Sequence, residues 1–462
     1  MILFAGQVDR GVREREAWQE LDFKAVFGSM TKWTAEIDDG ARVAEYVARA
    51  FQVATAGQPG PVVLALPHDM LGDVVTAADG PPYAPVETSP GAPEMAALEE
   101  LLAGAAAPLA LLGGSRWDAA ARDRIAAFAE RFELPVVTGF RRLPLFDPLH
   151  PSYAGDLGLA ANPNLVARVK AADLVLAVGA RISEVTSQAY TLFGPGEAEA
   201  KLVHVFPAAE ELGRVWRPRL AIHATPTRFA AALGALTPPA APAWRGSAAA
   251  AHADYLAWSE APTPQPGPVN LAEIMIWLRE TLPADAILCN GAGNFTGWIH
   301  RFYRVRSIDG HFAPNSGSMG YAVPAAVALQ RLHPHRRVVA VSGDGDFLMN
   351  GQEFATAVQY GLPIVVLVFD NAAYGTIRMH QEREFPGRVF ATDLKNPDFA
   401  AYARAFGGFG ATVAATAEFA PAFEAAVASG LPAILHVKFD PDGITPTQTL
   451  SGIRAAALAA RG

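Results

Sequence analysis

The sequence predicts an α/β protein of parallel sheets flanked by helices, and three observations carry that reading. Short β-branched or leucine-rich runs alternate with alanine-rich helical stretches along the whole chain, the order produced when parallel strands are joined by helical crossovers. Several of the runs, PVVLALP at 61–67 and PIVVLVFDN at 363–371 among them, are apolar on both faces, as strands covered by helices on both sides must be. The 462 residues, 51% of them apolar, are enough for two or three domains with separate cores.

Taken in order, MILFAGQ reads as a strand beginning at the first residue, and PVVLALP as the next. The stretch DGPPYAPVETSPGAP at 79–93, rich in Pro and Gly, reads as a linker. Four strand candidates follow: LALLGG at 109–114, PVVTG at 135–139, DLVLAVGA at 173–180 and KLVHVFP at 201–207. TPPAAPAWRGSAAAAHA at 237–253 reads as a second linker, and beyond it come AILCNG at 286–291, RVVAVSGDG at 337–345, PIVVLVFDN and PAILHVKFD at 432–440. Three units result, about 1–80, 90–236 and 265–462, the first too short for a full α/β layer.

Composition narrows the function. A net charge of −9 with no Lys/Arg run gives no electrostatic footprint for nucleic acid or an anionic membrane. No window approaches the roughly 18–20 apolar residues of a membrane span, and the opening residues lack the basic leader of a secretory signal. The one cysteine, Cys289, permits neither an internal disulfide nor a cysteine metal cluster and points to a reducing, cytoplasmic setting. Small-molecule chemistry is the class that remains. A nicotinamide dehydrogenase is disfavoured, because no G-x-G-x-x-G follows a strand and opens a helix with an acidic residue about 20 positions later.

The chemistry-bearing residues stand at strand ends. VVAVSGDG closes one buried strand in a Gly-Asp-Gly turn, whose glycines let backbone N–H groups approach an anion. IVVLVFDN closes the next, followed by AAYG. A hard cation such as Mg²⁺ takes oxygen ligands and commonly uses one or two protein side chains plus phosphate; Asp344, Asn371 and a backbone carbonyl near Ala373 could supply the protein's share. Gly-Asp-Gly alone is usually a tight turn, but the pairing across one strand–helix–strand unit is more specific. A third loop, APNSGSMGYAVPAAVAL at 313–329, opens a helix with Met319 at its mouth.

This constellation resembles the thiamine-diphosphate-dependent enzymes, and over essentially the whole chain the acetolactate synthase (acetohydroxyacid synthase) large-subunit group. The resemblance implies a three-domain architecture with Asp344 and Asn371 binding Mg²⁺ through side chains and Ala373 through its carbonyl. Gly343, Gly345 and Asp346 would face the diphosphate, helped by Gly293, Asn294 and Phe295, with Tyr374 and Gly375 completing the cofactor site. It further implies that the Gly317 carbonyl accepts from the cofactor's 4′-amino group. Ser318 lies in the same loop, and Met319 props the two rings into the bend that brings that amino group to the C2 proton. GQV at 6–8, AWQELD at 17–22, TKW at 31–33 and GQPGPVVLALPHDML at 57–71 resemble the later half of the pyrimidine-binding domain, placing Gln19 on the substrate side and Lys32 at the entrance. On that alignment the first domain is incomplete and the glutamate that activates the cofactor has no counterpart. The 462-residue chain is therefore expected to be poorly active and poorly soluble by itself.

The implied reaction is decarboxylation of a pyruvate-like 2-oxo acid and ligation to a second carbonyl. The alternatives are a simple 2-oxo acid decarboxylase and a cofactor-binding chain without turnover. Departures from the family pattern bear on this. His380 stands where a Trp usually shapes the acceptor pocket, next to Ile377. VGARISEV at 178–185 lacks the Asp-Asp-Arg that follows in the FAD-binding members, which argues against FAD. Asp370 replaces the first Asn of the usual pair and Asp346 a common Ser; two extra carboxylates near a diphosphate are expected to weaken cofactor binding. The resemblance also implies a homodimer or homotetramer and leaves a regulatory subunit open.

Overall fold

The computed structural model describes residues 1–76, 78, 80–159 and 161–461. Three wholly parallel sheets organise it. The first contains β1 (Ile2–Gln7), β2 (Trp33–Glu36) and β3 (Val62–Pro67) in the order β1-β3-β2. Its central strand is apolar on both faces because each face is covered: Val62 and Leu64 pack with Ala50 and Ala54 of the helix Val43–Thr55, and Val63 and Ala65 with Phe23. The covering is partial, and Phe4, Trp18 and Met30 remain exposed.

The second sheet contains β4 (Pro108–Leu112), β5 (Val136–Gly139), β6 (Tyr153–Leu157), β7 (Leu174–Val178), β8 (Leu202–Phe206) and β9 (Leu220–His223), ordered β6-β5-β4-β7-β8-β9. Its glycine turn after β4 is a close crossing of backbones: Gly114 has φ 69°, and a Cβ there would lie 2.0 Å from the Gly179 carbonyl oxygen. The alanine-rich stretch read as a linker differs from expectation in its second half, where Ser247–Ser259 is a helix. Tyr255 packs edge-on against Tyr153 with ring centroids 4.8 Å apart, and His252 Nδ1 donates to the Tyr153 carbonyl at 2.9 Å. Alanine's high helix propensity favours this helix, and burial of Ala248, Ala251 and Tyr255 with the Arg168–Asp254 ion pair docks it.

The third sheet contains β10 (Ile287–Asn290), β11 (His311–Phe312), β12 (Val338–Gly343), β13 (Val365–Asp370), β14 (Phe409–Val413) and β15 (Ala433–Lys438), ordered β11-β10-β12-β13-β15-β14. Its strands alternate their buried side chains between two helix-covered cores, Val339, Val341 and Leu367 on one side and Val338, Ala340 and Val366 on the other. Cys289 is fully buried in β10, and burial pushes its thiol far above the ordinary range. It is expected to resist a thiol reagent such as DTNB in the native protein and to react once urea unfolds the chain; rapid native labelling would contradict the packing of β10. Among the described residues, no helix is long and apolar enough to cross a membrane.

Candidate functional site

The carboxyl ends of β10, β12 and β13 open into one cleft of about 260 Å³. It lies where the strand order turns from β10 to β11 on one side and runs through β12 and β13 on the other, the position at which doubly wound sheets leave room for a ligand.

β12 ends at Gly343 and the helix Asp344–Asn350 starts at once, so Asp344 stands at its N-terminus. Its Oδ1 accepts from the Gly345 N–H at 2.9 Å, while Oδ2 accepts from the Ala373 N–H at 3.2 Å and from Asn396 Nδ2 at 2.8 Å. Burial raises the Asp344 carboxyl to about 6 against the pull of those donors; a divalent cation in the cleft would return it to the ionised form. Asn371 and Ala373 line the same cleft. Between them Ala372 adopts φ 55°, a left-handed turn that lets Ala373 double back to pair with Asp393. The Ala373 carbonyl accepts from the Gly375 N–H at 2.8 Å, which uses one of its two lone pairs.

Two glycines make space here. A Cβ at Gly345 would lie 2.6 Å from the Tyr374 ring, and one at Gly375 would lie 2.9 Å from Asn371 Nδ2. On the β10 side, the Asn294 N–H donates to Thr376 Oγ1 at 3.0 Å and that hydroxyl donates to Asn294 Oδ1 at 3.0 Å, clamping the Gly293–Asn294 loop to the helix Gly375–Glu384. The Phe295 ring is buried edge-on to Phe369 and serves as apolar floor. Gly317, at φ 74°, and Met319 also border the cleft.

The two unexpected carboxylates point elsewhere than the sequence suggested. Asp370 Oδ1 accepts from the Ala372 N–H at 2.8 Å and from Asn396 Nδ2 at 2.7 Å, and its Oδ2 accepts from His436 Nε2 at 2.7 Å. Burial is the largest single influence on Asp370 and opposes its charge, yet His436 and the N–H donors together hold it at about 2. Asp346 directs Oδ1 at two backbone donors, Ala292 N–H at 3.0 Å and Gly320 N–H at 2.8 Å, and so ties the loop after β10 to the Gly317–Gly320 loop.

Gly293, Asn294, Phe295, Gly317, Met319, Gly343, Asp344, Gly345, Asp346, Asn371, Ala373, Tyr374 and Gly375 are thus brought to one cleft. Ser318 does not line it and pairs its hydroxyl with Ser316 at 2.6 Å. Gln19, Lys32 and His380 do not line it within one chain either; Lys32 Nζ donates to the Ala56 and Gln58 carbonyls, and His380 is exposed on its helix. Sequence reading missed Thr376, Ile444, Asn396 and His436, the last two because they contact the strand ends from an irregular loop and from β15. The donor set fits a hard cation with a diphosphate: one carboxylate, one amide and one carbonyl at neighbouring strand ends, bracketed by glycines whose absent Cβ atoms leave the backbone open.

Residues 95–233 match the thiamine pyrophosphate enzyme central domain, and residues 291–437 match the C-terminal TPP binding domain. Over 443 residues the chain is 29% identical to the acetolactate synthase large subunit of Corynebacterium glutamicum, an alignment covering 92% of this chain and 70% of that one. It is 28% identical to the acetolactate synthase isozyme 2 large subunit of Escherichia coli over 447 residues, 95% of this chain and 79% of the relative. The probable acetolactate synthase large subunit of Methanocaldococcus jannaschii is 26% identical over 465 residues, 96% and 78% of the two chains.

Proposed function

As a chain that carries their central and C-terminal TPP-binding domains, this protein belongs to the thiamine pyrophosphate enzymes, and we propose that it decarboxylates a small 2-oxo acid such as pyruvate and joins the remaining fragment to a second carbonyl compound. The observation that carries the proposal is the convergence of Asp344, Asn371 and Ala373 at the ends of adjacent strands, beside the Gly317–Met319 loop. Asp344, Asn371 and the Ala373 carbonyl hold Mg²⁺, and the backbone of Gly343, Gly345 and Gly293 with Asn294 faces the diphosphate. Thiamine diphosphate supplies the electron sink needed when CO₂ departs. The protein supplies the remainder: Met319 supports the rings, and Trp298, Ile377, Phe439 and Ile444 wall the cleft with apolar surface that excludes water from the reacting carbonyl. No flavin is included, since the Asp-Asp-Arg expected after residue 185 is replaced.

Assembly belongs to the same reading. Gln19 and Lys32 reach this cleft from a second copy, and the exposed Trp18, Met30, Met319 and Phe390 are apolar surface suited to a subunit contact. The single buried cysteine suits a cytoplasmic setting.

With pyruvate, thiamine diphosphate and Mg²⁺, the expected products are CO₂ and acetolactate, formed at the low rate already expected of this chain. Free acetaldehyde in place of acetolactate would make the protein a non-ligating decarboxylase, and tight cofactor binding without CO₂ would mark a cofactor-binding chain; no magnesium-dependent cofactor binding at all would refute the site.

A further inference from the structure

Asn396 lies in the irregular stretch between the Ala373–Asp393 bridge and the helix Phe399–Ala405, on no strand and in no loop that directly follows one. Its one amide nitrogen nonetheless sits 2.8 Å from Asp344 Oδ2 and 2.7 Å from Asp370 Oδ1, so both of its hydrogens go to carboxylates. Asp370 is fixed in turn by His436, a fully enclosed ring held edge-on against Phe399 at 5.0 Å. The result is a continuous tether, His436 to Asp370 to Asn396 to Asp344. Two carboxylates this close repel when both are ionised, and the –NH₂ group between them donates to both and fixes their spacing.

The tether also distributes the oxygens. Asp370 does not line the cleft, and its oxygens are turned to Ala372, Asn396 and the buried His436 ring, whereas Asp344 and Asn371 do line it. Asp344 Oδ2 takes two donors and Oδ1 only one, the Gly345 N–H, which leaves Oδ1 the more open to a cation. Resting on the reading of Asp344 as the Mg²⁺ ligand, we infer that Asn396 is a positioning residue for that ligand, with Asp370 and His436 as its anchor. Residues that orient a metal ligand from behind typically contribute 10–100-fold to metal affinity.

The test uses the full chain as wild type, Asn396→Leu, Asn396→Ser and His436→Gln. Mg²⁺ is titrated at saturating thiamine diphosphate while intrinsic tryptophan fluorescence is followed, Trp298 lining the cleft; thermal unfolding is recorded without metal or cofactor. Asn396→Leu is expected to weaken Mg²⁺ by about 10–100-fold, Asn396→Ser, with one hydrogen left, by less, and His436→Gln by less again, while the metal-free melting midpoints stay near wild type. Should Asn396 be only a loop pin, the metal-free midpoint will fall and Mg²⁺ affinity of the folded variant will stay within about twofold; that result overturns the inference. If Asn396→Leu does not fold, Asn396→Ser decides by the same two readings. A wild type that binds no cofactor with Mg²⁺ would instead remove the site itself, and the tether's role with it.

Discussion

Replacing Asp344 and Asn371 together by alanine is expected to abolish magnesium-dependent retention of thiamine diphosphate, lowering its affinity by at least about 100-fold, or about 2.8 kcal/mol. The carboxylate is the only charged donor proposed for the cation, and no neighbouring group can take its place: Asp370 is held by His436 and Asn396, and Asp346 by the Ala292 and Gly320 backbones. Without the cation the diphosphate keeps only the uncharged groups proposed to face it, the backbone of Gly343, Gly345 and Gly293 with Asn294. Some stability is also expected to be lost, because removing Asp344 strands the Gly345 and Ala373 N–H groups and the Asn396 amide, while the unfavourable burial of this carboxyl, reflected in its rise to about 6, offsets part of that loss. Equilibrium dialysis with Mg²⁺ and with EDTA, together with a melting curve, separates the two effects. Retention that stays magnesium-dependent in a folded double variant would end the reading of these strand ends as a metal site.

The parts of this fold that could be seen in the sequence are those whose physics is local. Runs such as VVAVS and IVVLVF became central strands because a strand covered on both faces must be apolar at every position. The strands that went unseen, β2, β6, β9, β11 and β14, are all at sheet edges. An edge strand needs an apolar residue on one face at most and tolerates the glycine, aspartate or threonine found in YAGDL and FGATV. The exception is β1, an edge that is apolar from Ile2 to Ala5 although Leu3 and Phe4 are exposed. In the site, Asp344 and Asn371 were legible because each directly follows a recognisable strand. The orientation of the added carboxylates was not. Asp370 looked like a burden on an anion site until its partners, His436 from β15 and Asn396 from a loop without periodicity, appeared beside it. Neither partner is near it in sequence, so no spacing could have announced the pairing.

Asp346→Ala should bring the second large effect, on stability and cofactor binding together. Asp346 is almost fully buried and its Oδ1 is the acceptor for the N–H groups of Ala292 and Gly320. Removing it strands one buried and one part-buried donor at about 1–3 kcal/mol each, so a loss of about 2–6 kcal/mol is expected. It also frees two loops that border the cleft. Asp346→Asn keeps an acceptor oxygen yet should recover only part of this. Burial lowers Arg141 to about 10, where it stays cationic, and the Asp346 carboxylate is the charge that opposes that burial; an amide cannot. Arg141 Nε and Nη1 have no hydrogen-bond partner among the described residues, so Asp346 acts on the guanidinium through charge alone. Adding Arg141→Met to Asp346→Asn should therefore cost less than the two single changes summed, since the second removes a cation the first has left uncompensated. Because a chain with three sheets need not unfold in one step, the measurement is urea unfolding in a background where Trp298, which packs in the third sheet's core, is kept and the other seven tryptophans are replaced by Phe. Stability of Asp346→Ala within about 0.5 kcal/mol of wild type, the range of ordinary surface changes, would mean that the two loops hold themselves.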